Sequence, residues 1–205
     1  MTRRWITICL MLASMPASAY AQRAATQQTS VRPSSAANAT DSTTIKDRAA
    51  FLWFVRYERT TLTETAEAMP ADKYGFAPRD GAFANVRTFS RQVKHLAATN
   101  YILAAAALGE QPPADAGDEQ GPDSVITKAQ HIGYLSGSYD ALERAARAIG
   151  DTRIAVRSSP TSPFQGGSAT RIALISEALT HAYDHYGQMV VYLRMNGVVP
   201  PASRR

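Results

Sequence analysis

Two histidines, four residues apart near the end of the chain, are the side chains whose spacing first suggests chemistry. His181 and His185 lie in the segment His181–Gly197, which is rich in apolar residues. Residues four apart lie one turn apart on the same face of an α-helix, so both imidazole rings can reach one cation. Such a pair can also be buried and hydrogen-bonded without a metal, so a third ligand is needed before a metal site is the better interpretation.

The residue that follows the first histidine argues against one zinc chemistry. Zinc proteases with a His-Glu-x-x-His motif need a glutamate at that position as their general base. Here the position holds Ala182. Proteolysis by this route is therefore excluded.

The helix that must carry the histidine pair can be delimited from its end signals. Ser168 or Thr170 can cap its first turn, and Gly197, followed by two prolines, can end it. Apolar residues recur along it every three or four positions, with His185 within the apolar face and His181 at its edge. The pattern predicts one long helix that carries both histidines.

Three further helical patterns precede this one in the chain. They span residues 44–69, 85–108 and 122–149, and they end at Pro70, Gly109 and Gly150. No segment alternates with the period of two that a strand would show. The sequence therefore predicts an all-α fold, a four-helix bundle.

The connection 151–167, before the last helix, is longer than packing requires. It contains two Ser-Pro pairs and a pair of glycines, and no regular structure is expected in it. Loops of this length often cover or border a site.

Three more residues are candidates for a site. Glu58 lies on the apolar stripe of the first helix, where an edge position that reaches solvent is favoured over one that faces the interior. His95 lies well away from the main stripe of the second helix, so periodicity alone predicts that it is exposed. His131, at the edge of the apolar stripe of the third helix, is expected to be an ordinary core or surface histidine.

The last helix carries three other polar residues near the histidine pair, Tyr183, Asp184 and Gln188. They could orient the histidines or transfer protons, or they could simply be packed or solvated.

The start of the chain has the three parts of a secretory signal. Arg3 and Arg4 precede the largely apolar residues 5–15, and small residues then lead to Ala21. Residues 1–21 are therefore predicted to be a signal peptide, and the mature protein is expected to be periplasmic or secreted.

The remaining chain divides by composition into a linker and a domain. Residues 22–43 are Ser, Thr, Ala and Gln with almost no large apolar group, which predicts a flexible linker. Residues 44–201 have the length of one domain with one core. The only cysteine, Cys9, lies within the predicted signal, so any metal site in the mature protein must use His, Asp or Glu.

Charge and hydropathy limit the expected partners. Loss of the two N-terminal arginines lowers the formal charge from +5 to +3, and no run of five or six basic residues occurs, so nucleic-acid binding is not expected. The apolar part of the predicted signal is too short for a stable membrane anchor, and no second hydrophobic run of about 18 residues follows. A small-molecule substrate or ligand is the expected partner, and a homodimer is left open.

Three segments together resemble one known family. The segments Ala66–Phe76, His95–Tyr101 and His181–Pro201 are similar to the DinB-like (DinB/YfiT) superfamily of metal-dependent enzymes, in particular its secreted branch. The resemblance implies a four-helix bundle with a connectivity other than simple up-and-down. It also implies one divalent metal on three histidines, which by motif are His95, His181 and His185.

The chain departs from this family pattern in two ways. Relatives often carry an acidic residue three positions after the first histidine, where this chain has Ala98, so a hydrogen-bond partner for His95 is either missing or supplied elsewhere. Family members with known activity use low-molecular-weight thiols in the cytoplasm. A secreted protein would meet little of such a thiol, so this activity is not expected here.

Two classes of function are consistent with these residues. Three neutral imidazoles hold a divalent ion, with zinc or nickel fitting best, and leave positions open for water or substrate. That arrangement predicts a hydrolase or transferase, whose site would favour an anionic substrate because the ion keeps its charge. The alternative is a noncatalytic bundle that binds a metal or a small ligand, because no secure general base is evident beside the histidines. A purely structural role for the histidines is a third interpretation.

Overall fold

Four α-helices account for most of the described chain. The computed structural model describes residues 36–116, 119–150, 155–157 and 168–204, so the predicted signal peptide, the first part of the predicted linker and most of the loop 151–167 lie outside the described residues. The helices are α1 (Ala36–Ala68), α2 (Phe89–Leu108), α3 (Lys128–Arg147) and α4 (Arg171–Met195). They pack against one another, and the predicted all-α bundle is confirmed.

The helices α2 and α3 run in the same direction. Asn100 in α2 donates to Ser138 in α3, and Arg144 in the last turn of α3 donates to Glu110, just after the end of α2. Two parallel helices need a connection that crosses the length of the bundle. Residues 109–127 make this crossing, and they contain a short 3₁₀ turn.

The helix α4 runs opposite to α2. Arg171 at the start of α4 donates to the carbonyl of Ala107 at the end of α2, at 2.9 Å. Gln92 near the start of α2 donates to Gln188 in the second half of α4, at 2.8 Å. This antiparallel contact places the second half of α4 beside the start of α2.

The helix α1 runs opposite to α3 and is tied to it at both ends. Arg48 donates to the carbonyl of Ile149 just after α3, and Lys128 at the start of α3 donates to the carbonyl of Met69 just after α1. The directions along the chain are therefore up, down, down and up. The expectation of a connectivity other than simple up-and-down is met.

Capping threonines set the starts of the last three helices. Thr88, Thr127 and Thr170 each accept a hydrogen bond from the backbone N–H three residues further on. The predicted starts at residues 85 and 122 are therefore too early. In α3, Thr127 forms a reciprocal capping box with Gln130, which outweighs the earlier signal of Pro122.

The ends of α2 and α4 follow the prediction, whereas the start of α1 does not. Gly109 and Gly197 adopt left-handed φ angles of 73° and 72°, as C-terminal glycines do. The helix α1 begins at Ala36 rather than at residue 44, so part of the predicted linker has a helical backbone. The sequence from residue 36 to 68 contains no glycine or proline that would stop helix formation.

A short hairpin-like pair of strands precedes α4. The strands β1 (Ala155–Arg157) and β2 (Ser168–Thr170) pair antiparallel, with Val156 opposite Ala169. The expectation that residues 151–167 hold no regular structure is wrong at β1. Three residues are too few to show a period of two in the sequence.

The core is formed by apolar side chains from all four helices. Fully buried members include Leu62, Phe89, Leu96, Leu103, Leu135, Leu142, Leu174, Ile175 and Met189. Glu58 is buried among them at 0% exposure, so the expectation that it reaches solvent is wrong. None of the described helices combines the length and hydropathy that a membrane span requires.

Candidate metal centre

Three histidines converge between α2 and α4. Nε2 of His181 lies 3.0 Å from Nε2 of His95 and 3.1 Å from Nε2 of His185. One ring nitrogen of each residue lies within 4.8 Å of those of the other two. The predicted convergence of the three rings is confirmed.

His95 is only 3% exposed, although the periodicity of α2 predicted a position in solvent. The periodicity argument assumes that a helix has one covered face. Both α3 and α4 pack against α2, so side chains on two sides of it are buried. The side of α2 that carries His95 faces α4.

A backbone carbonyl orients the His95 ring. Nδ1 of His95 lies 2.8 Å from the carbonyl oxygen of Glu119. Because a carbonyl oxygen only accepts hydrogen bonds, Nδ1 carries the proton and Nε2 presents its lone pair to the other histidines. The loop before α3 thus supplies the partner that Ala98 cannot.

The three Nε2 atoms fit a shared cation. A proton can bridge only one pair of nitrogens at a time, whereas a cation can accept a lone pair from each ring. Nitrogens bound about 2.0–2.1 Å from one zinc ion lie about 3–4 Å apart, which agrees with the 3.0 and 3.1 Å from His181 to the other two histidines. Nδ1 of His181 and of His185 has no hydrogen-bond partner among the described residues, so either ring can carry its proton there.

Burial keeps the three imidazoles neutral. Desolvation is the largest cause that lowers the pKa of each. The neighbouring histidines also lower the pKa of His181 and His185, and Arg87 lowers that of all three; together these causes bring the pKa to about 4 for His181 and about 3 for His185. Neutral imidazole is the form that binds a metal ion, so the cluster is ready to bind one at neutral pH.

The family comparison agrees with this geometry. A model of the DinB superfamily matches residues 55–189, which is more than half of the chain and includes all three histidines. The chain belongs to the DinB superfamily. No curated protein matches it significantly. The narrower prediction of a secreted branch rests on the N-terminal residues and stays a prediction.

The histidine cluster of this DinB-superfamily chain opens on a cavity of about 720 Å³. Of the polar residues singled out on α4, Asp184 and Gln188 line the cavity, whereas Tyr183 does not and is exposed. The other charged and polar residues of the wall come from the start of α2 and the loop before α3. They include Arg87, Arg91, Gln92 and Glu119.

These last four residues were not predicted as parts of the DinB site. Gln92 lies three positions before His95, as Gln188, which was singled out, lies three positions after His185, so a search one helical turn from His95 would have found Gln92 as well. No comparable signal marks Glu119, because a loop brings it to the site.

Two wall residues have left-handed backbone angles, which are less unusual for asparagine than for glutamate. Asn85 and Glu119 have φ angles of 65° and 69°, and among the described residues no other non-glycine residue has a positive φ. Such angles are costly and persist where the surrounding structure holds them. Their position at one cavity is typical of a functional site.

The fourth histidine stands apart from the cluster. Nδ1 of His131 donates to the carbonyl of Thr127 at 2.8 Å, and its ring packs edge-on against that of Tyr74. It is 4% exposed, so of the two predicted positions, core or surface, the structure shows the core. The prediction that it does not bind the metal stays to be tested.

Proposed function

We propose that this DinB-superfamily protein is a metal-dependent hydrolase or transferase. His95, His181 and His185 would hold one divalent ion, zinc or nickel. The observation that carries this proposal is the convergence of three neutral imidazoles, two buried and one half-buried, beside a large cavity. When bound, such an ion lowers the pKa of a water molecule and polarises a carbonyl or phosphoryl oxygen.

The chain's own residues would prepare this centre. The carbonyl of Glu119 fixes the orientation of His95, and burial keeps the three rings unprotonated. The cavity wall offers charged and amide groups on both sides of the cluster, which can position a small molecule. A small-molecule substrate and a periplasmic or secreted location remain part of the proposal, supported by the cavity and by the N-terminal signal pattern.

A second candidate is a noncatalytic bundle that binds a metal or a small ligand. It is favoured by the state of the two carboxylates on the cavity wall. Asp184 accepts a hydrogen bond from Gln188, and the carboxylate of Glu119 lies 3.9 Å from Nδ1 of His95. This hydrogen bond holds Asp184, and the Glu119 carboxylate is too far from Nδ1 of His95 to hydrogen-bond to it, so neither carboxylate is an evident general base.

Metal analysis of the purified protein and its histidine variants tests the shared part of both candidates. We expect about one equivalent of zinc or nickel in the natural protein, and a loss of affinity of at least about tenfold in His185→Ala. His131→Ala is the matched control, since it removes a buried histidine outside the cluster. A loss of metal in His131→Ala equal to that in His185→Ala would contradict the assignment.

A substrate screen then separates the two candidates. Ester, amide, phosphoester and thiol-transfer substrates are tested with the metal-loaded protein and again after chelation. Turnover that chelation abolishes supports the enzyme. Bound metal without turnover on any of these substrates favours the binding bundle, and absence of bound metal leaves the structural role.

A further inference from the structure

Two arginines line the cavity beside the histidine cluster. Arg87 precedes α2, and Arg91 lies in its first turn. Among the described residues, neither guanidinium group lies within 4.0 Å of a carboxylate oxygen. A guanidinium group presents several N–H donors in a plane that matches carboxylate and phosphate oxygens. Both side chains are therefore available for an anionic group of a ligand.

The balance of charge on the cavity wall favours such a group once an ion is present. Arg87 and Arg91 are formally balanced by Glu119 and Asp184. A divalent ion on three neutral histidines adds two positive charges, and the N-terminus of α2 adds a partial one. The metal-loaded cavity is therefore positive, with its arginines at the start of α2.

A chain of three polar side chains fixes a hydrogen-bond acceptor in the same wall. The carboxylate of Asp184 can only accept, so Gln188 turns its amide nitrogen toward it, at 3.0 Å. Oε1 of Gln188 consequently faces Gln92 and accepts from Nε2 of Gln92, at 2.8 Å. The orientation of Gln92 is thereby determined, and its Oε1 is the atom left over.

Oε1 of Gln92 has no hydrogen-bond partner among the described residues, although the side chain is 1% exposed. Leaving a buried acceptor unpaired is destabilising. A donor on a ligand would remove this cost. Gln92 also lines the cavity and lies one turn from His95 on α2, while Arg87 lies beyond it, before the start of the helix.

We propose, building on the function proposed above, that the cavity binds a small molecule with an anionic group and a hydrogen-bond donor. Arg87 and Arg91 bind the anionic group, a carboxylate or a phosphate. Oε1 of Gln92 accepts a hydrogen bond from an N–H or O–H group that lies between the anion and the histidines. The site thus selects a small molecule by its anionic group and its hydrogen-bond donor, neither of which contacts the metal or the three histidines.

The test is an NMR titration of ¹⁵N-labelled protein at pH 7.5, both metal-free and zinc-loaded. The probes are glycolate, which has both groups, acetate, which lacks the hydroxyl donor, and glycolamide, which lacks the charge. Glycerol 3-phosphate is titrated in parallel, and the tighter of the two anionic hydroxyl probes identifies the preferred anion. We expect glycolate or glycerol 3-phosphate to bind more tightly than acetate and glycolamide, with shifts at the amides of residues 85–92.

Three variants locate the two contacts. Arg87→Gln should weaken glycolate binding about tenfold, and Arg79→Gln, which removes the same charge from an exposed residue outside the cavity, should not. Gln92→Leu should abolish the preference for glycolate over acetate while leaving acetate binding unchanged. The amide spectrum of each variant shows whether the fold is retained.

The zinc content of each variant separates this inference from the proposed function. If the natural protein holds no zinc but glycolate still depends on Arg87, the proposed function fails and the anion site stands. If zinc binds and the affinity for glycolate is equal in the natural protein and in Arg87→Gln, the carboxylate of glycolate binds the zinc ion and not Arg87. That result overturns the inference. Failure of all four probes to bind the natural protein overturns it as well.

Discussion

Glu58 is a carboxylic acid in the core of the bundle. Its Oε1 accepts a hydrogen bond from the hydroxyl of Tyr139 at 3.0 Å, and its Oε2 has no partner among the described residues. Burial raises the pKa of Glu58 to about 8, and the hydrogen bond from Tyr139 lowers it only in part. The side chain is therefore largely protonated at neutral pH.

This buried acid should make stability depend on pH. The unfolded chain releases the proton near pH 4.5 and the folded protein near pH 8, so the folded state binds more protons in between. Its contribution to stability therefore falls as pH rises through this window, by at most about 1.4 kcal/mol per pH unit. Glu58→Gln keeps the size of the side chain without titrating, so its stability relative to the natural protein should rise from pH 4.5 to pH 8.

Urea unfolding at pH 4.5, 6 and 7.5 measures this difference. Glu67→Gln, an exposed position on the same helix, is the control and should show a nearly constant difference. A difference that is equally constant for Glu58→Gln would mean that the folded protein holds Glu58 ionised.

Single residues could be predicted from the sequence only as far as local spacing reaches. His181 and His185 were found because both lie on one helix, one turn apart. The burial of Glu58 depends on Tyr139, 81 residues away, and that of His95 on the packing of α4. A helical wheel gives the direction of a side chain but not which element covers it. His95 was therefore predicted as a ligand from the family motif and not from the periodicity of its helix.

At the scale of elements, the start of α3 depends on one threonine. Thr127 accepts a hydrogen bond from the N–H of Gln130 at 3.3 Å, and the side chain of Gln130 accepts from the N–H of Thr127 at 2.8 Å. Thr127→Ala removes the cap and should lower the free energy of unfolding by about 1 kcal/mol. Thr60→Ala, an exposed change within α1, should alter it by less than about 0.5 kcal/mol.

Chemical denaturation of the two variants checks this prediction. An equal decrease in the free energy of unfolding in both variants would show that the capping hydrogen bond of Thr127 does not stabilise the protein. Zinc content should be the same in both, since neither threonine contacts the histidine cluster.

The elements themselves were predicted well, and their boundaries less well. Gly109 and Gly197 marked helix ends correctly because a left-handed residue is a local requirement. The start of α3 was placed at Pro122 although the Thr127–Gln130 capping signal was present in the sequence. Two start signals in succession cannot be ranked from the local sequence alone, because the connection between α2 and α3 also has to cross the bundle before α3 begins.

At the scale of the whole molecule, a bound ion would join α2 to α4. The ion would stabilise the folded state, because the three histidines lie close together only in the folded protein. Unfolded histidines take up protons as pH falls below about 6.5, whereas the buried ones resist protonation. The buried histidines therefore contribute to the free energy of unfolding above pH 6.5, and this contribution is lost as the pH falls. In addition, protons compete with the ion for the ring nitrogens.

Melting curves with and without zinc or nickel, at pH 7.5 and pH 5, test this expectation. The rise in melting temperature with added metal should be large at pH 7.5 and much smaller at pH 5. In His185→Ala the rise should be small at both values. An equal rise at pH 5 and pH 7.5 in the natural protein would argue for carboxylate ligands such as Asp184 instead of histidines.

The separation of the three histidines along the chain also affects how an ion would change the rates of folding and unfolding. His95 and His181 are 86 residues apart, and α3 forms between their helices. Contacts over such a distance in sequence close late in folding, after the local helices and their nearest pairs. An ion bound at this point would leave the rate of refolding nearly unchanged and slow the rate of unfolding. Metal supply would then govern how long each folded molecule lasts rather than how fast it forms.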